Sequence, residues 1–126
     1  LTFHAAGINL LQRNISGDAF YNSEQHFPPP QCHPATRTTV QKTIQSWVVD
    51  DQGASVMWLY GPAGTGKSAI AQSMAENWAA NYNLTTAFFF GRWRARGGSG
   101  KCLFPTITYQ LALHIPSLWE SIGLAV

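Results

Sequence analysis

The chain has 126 residues, 45 % hydrophobic and 13 % aromatic, which is apolar enough for one small packed domain and excludes a disordered composition. A net charge of +2 with 11 % charged residues gives no overall field that points to nucleic acid. Cys32 and Cys102 lack CxxC or zinc spacing, so neither a disulfide framework nor a metal site is indicated, and no stretch reaches the roughly 18 apolar residues of a membrane helix.

Taken in chain order, Leu1 to Gln31 has weak periodicity and ends in the stiff stretch His26-Phe27-Pro28-Pro29-Pro30, which reads as an arm or linker over residues 1–31. Its start is not methionine, and no basic region followed by an apolar one is present there. A cytoplasmic chain whose first residue is not the natural one is the expectation. Cys32-His33 is an adjacent pair, not one spaced for ligation. A helix is predicted from Ala35 to Val49, stopped by Asp50, Asp51 and Gly53, with Thr36 available as its cap. Trp47-Val48-Val49-Asp50-Asp51 imitates an apolar strand ending in an acid, but Val40, Ile44, Trp47 and Val48 stand at helical spacing and make it a helix end.

Ser55 to Tyr60 is a short apolar run between Gly53 and Gly61 and predicts a buried parallel strand. Immediately after it, Gly61-Pro62-Ala63-Gly64-Thr65-Gly66-Lys67-Ser68 satisfies G-x-x-x-x-G-K-[ST], the phosphate-binding loop of nucleoside triphosphatases. Chance alone would give roughly 0.003 such matches in a chain of this composition. The chemistry follows from the residue types. Glycines at 61, 64 and 66 allow positive φ and close approach of backbone N–H groups to phosphate oxygens, and the following helix adds its unpaired N–H groups. Lys67 is expected to reach the β- and γ-phosphates, and Ser68 to offer its hydroxyl to Mg²⁺.

Ile70, Met74 and Trp78, flanked by Ala71, Ala75 and Ala79, mark one face of the helix that follows. Leu84 to Phe90 is a second strand candidate, and Gly91 to Lys101 a glycine-rich basic loop. "GGSGKC" in that loop imitates a phosphate loop but has Ala95 where the first glycine belongs and Cys102 in place of the hydroxyl residue. Pro105 suits the first turn of a further helix with Phe104, Ile107, Leu111 and Ile115 on one face; Pro116 ends it and opens another with Leu118 and Ile122 inward.

"CHPATR" at Cys32 to Arg37, "WLYGPAGTGKSAIAQ" at Trp58 to Gln72, "AFFF" at Ala87 to Phe90 and "FPTITYQLALHIP" at Phe104 to Pro116 form a series that resembles the start of a NACHT-type nucleoside triphosphatase, in the version common in fungal proteins and called the nephrocystin 3-like N-terminal domain. The resemblance implies a three-layer α/β fold and a signalling switch driven by ATP or GTP with Mg²⁺, acting with other protein chains or domains of a receptor. It places residues 32–126 as the N-terminal part of such a domain, incomplete because no apolar strand ending in Asp or Glu follows Ser68. Arg37 matches the arginine of the family's CHPxTR element, which approaches the nucleotide and is expected on its base or ribose side; Arg92 resembles the arginine that often follows the aromatic strand.

Nucleotide binding without efficient hydrolysis is therefore the leading expectation, since no residue is assigned to align water; Glu76 reads as a solvent-facing charge. Two alternatives compete with it. Arg92, Trp93, Arg94, Arg96 and Lys101 could contact single-stranded nucleic acid by charge and stacking, although four charges provide few phosphate contacts. The third reading is a degenerate protein-interaction fragment.

Overall fold

The computed structural model describes residues 2–23, 37–81, 83–91 and 100–126, with side chains from residue 5 onward. Five α-helices lie among these residues: α1 (Thr2–Gln12), α2 (Thr38–Val48), α3 (Lys67–Ala80), α4 (Leu103–His114) and α5 (Pro116–Ala125). They form two groups joined by polar contacts.

The first group is α1, α4 and α5, each in contact with the other two. The α1 helix lies in the stretch that sequence periodicity reads as an arm. Among its described side chains the buried ones are Ile8 and Leu11, about one helical turn apart, with Gly7 beside them. The backbone carbonyl of Gly123 abuts the position a Cβ would take at Gly7, so both glycines permit close helix crossing. Residues 24–31 of the expected arm lie outside the described residues. Pro116 occupies the first turn of α5, where its missing N–H costs nothing, and Leu118 and Ile122 are half-buried.

The second group is α2 against α3. Ile44 of α2 packs with Ile70 and Met74 of α3, and Met57 and Trp78 close over them. This is the face that the i, i+4 spacing of α3 predicts. Trp47 anchors the chain after α2 by donating from Nε1 to the Ala54 carbonyl at 2.6 Å. The described start of α2 is at Thr38, with Arg37 at its N-cap and no side-chain capping bond; Thr36 and Ala35 lie outside the described residues.

The expected three-layer α/β fold is not what forms. Among the described residues there is no strand and no sheet. Residues 55–60 and 84–90, the two strand candidates, share no backbone hydrogen bond. A strand needs a neighbour for its backbone groups and a covering layer for its side chains. The first candidate has neither: Val56, Trp58 and Tyr60 are 78 %, 82 % and 82 % exposed, while Met57 alone turns toward α2 and α3. The second is held from the side by helix residues instead of by a ladder. Gln110 of α4 donates from Nε2 to the Ala87 carbonyl at 2.8 Å and accepts the Ala87 N–H on Oε1 at 3.0 Å. Phe89 N–H donates to the Ala19 carbonyl at 2.8 Å.

On α4 the apolar stripe is half-buried at Ile107, Leu111 and Ile115, and polar residues go deeper. Phe104 is 75 % exposed, whereas Thr106 and Gln110 are buried. Thr106 Oγ1 accepts the Ser16 N–H at 2.9 Å, so the buried hydroxyl satisfies a backbone donor ninety residues away in sequence. Gln72 of α3 joins the two groups, donating from Nε2 to the Tyr21 carbonyl at 2.7 Å.

Candidate functional site

The segment from Gly61 to Ser68 runs continuously from the end of the 54–60 stretch into α3. Gly64 and Gly66 have φ of 81° and 82°, the left-handed region in which a Cβ is strained, so two of the three glycines are required by backbone conformation. Gly61 is not left-handed; a Cβ there would stand 3.3 Å from Thr65 Oγ1, so its lack of a side chain leaves room for the loop to close. Thr65 donates from Oγ1 to the Pro62 carbonyl at 2.8 Å and closes the turn.

Lys67 folds back over this turn. Its ammonium donates to the carbonyls of Gly61 and Pro62, each at 2.7 Å, and lies 3.4 Å from Thr65 Oγ1. The lysine thus bonds the mouth of its own loop, satisfying carbonyls that would otherwise turn to water. The α3 helix begins with the Ile70 N–H donating to the Gly66 carbonyl at 3.0 Å. Gly66 provides no side-chain cap, so the N–H groups of the first turn remain available at the positive end of the helix dipole. Ser68 is exposed in that turn. Every residue from Gly61 to Gly66 except Gly66 itself is exposed, and the loop rests on the apolar cluster through Ile70.

Arg37 is brought to the same loop from far away in the chain. A Cβ built on Gly66 would stand 2.5 Å from both Cζ and a terminal nitrogen of the Arg37 guanidinium, which means that the guanidinium lies directly on the bare glycine. Arg37 has φ 53° and ψ 26°, and it is the one non-glycine residue with positive φ among the described residues. Its carbonyl accepts the Gln41 N–H at 3.1 Å and so opens α2. Ile44 of α2 packs with Ile70 and Met74 of α3, and this contact brings the start of α2, and Arg37 with it, beside the loop.

Below the loop, an open groove of about 580 Å³ runs between residues 57–59 and 84–90, with Lys67 and Ser68 at one end and Met57, Ile70, Met74 and Phe89 along it. Glu76 does not point free into solvent as its spacing suggests: it is half-buried and accepts a hydrogen bond from Gln72 Nε2 at 2.9 Å. Asp50 closes the turn after α2 by accepting the Gln52 N–H at 3.1 Å. Among the described residues, no group of three His, Cys, Asp or Glu side chains is placed to hold a metal ion. No helix there is long and apolar enough to cross a membrane. Arg92, Trp93, Arg94 and Arg96 lie outside the described residues; Lys101 is exposed at the start of the segment leading into α4.

Gln72, Thr106 and Gln110 are the positions that sequence reasoning passes over. Each is a polar residue on a helix face, and the signal of its burial is a long-range backbone partner with no local trace.

The family model described as "Nephrocystin 3, N-terminal" matches residues 36–125, a span that includes Arg37, the whole of the loop and all of α2 to α5. The chain belongs to that family. No curated protein and no solved structure matches it.

Proposed function

We propose, for this member of the nephrocystin 3 N-terminal family, that residues Gly61 to Ser68 bind the phosphate chain of ATP or GTP together with Mg²⁺, as the nucleotide-responsive module of a NACHT-type signalling protein. The observation that carries the reading is the loop itself: left-handed Gly64 and Gly66 lead into an uncapped helix whose first residue, Lys67, already bonds to the loop mouth. Backbone N–H groups along such a turn converge on an anion, and the helix terminus adds partial positive charge at the same point.

The residues divide the work by chemistry. The N–H groups of residues 64–68 donate to phosphate oxygens. Lys67 exchanges its two carbonyl partners for β- and γ-phosphate oxygens, a trade of neutral acceptors for charged ones that favours the phosphate. Ser68, exposed in the first turn of α3, would offer its hydroxyl to Mg²⁺, whose charge would offset that of the phosphates. No described side chain is assigned to align an attacking water, so binding is the activity proposed and turnover is not. Other chains or domains of a signalling receptor would read the nucleotide state.

Titration of fluorescent ATP and GTP into the purified chain, with and without Mg²⁺, tests this. Binding that needs Mg²⁺ and weakens by about ten- to hundredfold in Lys67→Ala is the expected result, the range for loss of a hydrogen bond to a charged group. Equal affinity in parent and variant would remove the proposal.

A further inference from the structure

Two positive features meet at Gly66, the guanidinium of Arg37 and the N-terminal end of α3, while the ammonium of Lys67, next in sequence, turns back to the Gly61 and Pro62 carbonyls of the same loop. Neither cation is paired with a carboxylate among the described residues; Lys67 takes only carbonyl and hydroxyl partners, and Arg37 rests on glycine. Two cations on one loop with no carboxylate partner among the described residues raise its free energy, and an anion lowers it. The backbone is bent to achieve this. A left-handed arginine costs on the order of 1–2 kcal/mol relative to the ordinary conformation, and such outliers persist only where the surroundings enforce them. The Arg37 carbonyl starts α2, and Ile44 of α2 touches Ile70 and Met74 of the loop helix.

The placement also separates two roles for the arginine. A residue that gripped the base or ribose would stand where the nucleoside leaves the loop. Arg37 instead lies on the glycine immediately before Lys67, against the backbone that faces the phosphates in the nucleotide reading. We infer that Arg37 contacts the phosphate chain and not the base or ribose, acting as a second phosphate-reading cation whose position is set by the α2–α3 packing. This rests on the nucleotide reading of the loop. A planar guanidinium offers a fork of N–H donors matched to two oxygens of a phosphate, and Lys67 adds a point charge beside it.

Inorganic tripolyphosphate distinguishes the two roles because it has phosphates and no nucleoside. Its affinity and that of ATP are measured with Mg²⁺ by competition against fluorescent ATP, for the parent, Arg37→Ala, Arg37→Met and Arg37→Lys. Urea midpoints are compared to show that each variant folds. The Ala and Met variants should lose about tenfold or more in affinity for ATP and for tripolyphosphate by a common factor, and Arg37→Lys should bind both more tightly than Arg37→Met. Tripolyphosphate affinity unchanged in Arg37→Ala and Arg37→Met overturns the inference, whatever happens to ATP. So does an equal loss in the Met and Lys variants, which would assign the side chain to packing on Gly66 and not to charge. A parent chain that binds neither ligand would overturn the nucleotide reading itself and this inference with it.

Discussion

Gly64 and Gly66 share the same backbone conformation, φ near +81°, but differ in what surrounds them, so substituting each by alanine separates two costs. A Cβ at Gly64 meets nothing within 4 Å. Gly64→Ala therefore carries only the left-handed penalty of about 1–2 kcal/mol, reduced by roughly 0.4–1 kcal/mol because alanine restricts the unfolded chain. A net loss near 1 kcal/mol is expected. At Gly66 the same Cβ would lie 2.5 Å from the Arg37 guanidinium, the movable end of a long side chain, so the arginine must leave. Gly66→Ala should then cost about 0.5–1 kcal/mol more, the coupling expected of contacting residues. Urea unfolding of both variants, alone and combined with Arg37→Ala, measures this. In the Arg37→Ala background the extra cost at Gly66 should vanish and that at Gly64 should stay. Equal losses at the two glycines with Arg37 present, or an excess at Gly66 that survives its removal, would refute the packing of Arg37 on the loop.

Gln110→Ala removes both bonds to Ala87 and leaves its half-buried N–H and C=O without those partners, so a loss of about 2–3 kcal/mol and faster exchange of the Ala87 amide are expected; unchanged protection would show that the segment is held otherwise. Gly7→Ala drives a Cβ into the Gly123 backbone, which cannot rotate away as a side chain can. A loss of about 1–3 kcal/mol in urea unfolding should follow, and none would mean that α1 and α5 do not cross there. Ser68→Ala should leave Mg²⁺-free nucleotide affinity unaltered and abolish most of the gain from Mg²⁺, read by the same fluorescent titration with and without chelator. Phosphate release by the purified chain should not exceed that of Lys67→Ala. Several turnovers above that control would point to an overlooked carboxylate, with Glu76, Asp50 and Asp51 the first to substitute.

What the sequence reveals and what it hides follow the range of the interactions involved. The loop is legible because each of its requirements is local: glycines where φ turns positive, a lysine one residue past the last of them, and an apolar i, i+4 face on the helix that follows. The sheet is misread because Ser55 to Tyr60 has strand composition, and composition says nothing about whether a partner lies alongside. Trp58 and Tyr60 sit in solvent here, and their β propensity has no ladder to act on. The α1 helix escapes notice since, among its described side chains, the buried ones are two apolar residues beside a glycine. In α4 the apolar stripe through Phe104 is outvoted by Thr106 and Gln110, whose partners at Ser16 and Ala87 are remote in sequence.

The position of Arg37 is non-local in the same way, yet it matters most for what the loop can do. The family resemblance expects the arginine on the base or ribose side of a nucleotide; the contact of Ile44 with Ile70 and Met74 brings α2 to the side of α3 where Gly66 is bare. Lys67 meanwhile is engaged with Gly61 and Pro62, so its contribution to any bound phosphate is the difference between two sets of bonds. Arg37 gives up no hydrogen bond to a described residue when an anion arrives. The two cations would therefore divide the task unequally: exchange limits the gain from the lysine, whereas the arginine exchanges no bond with a described residue.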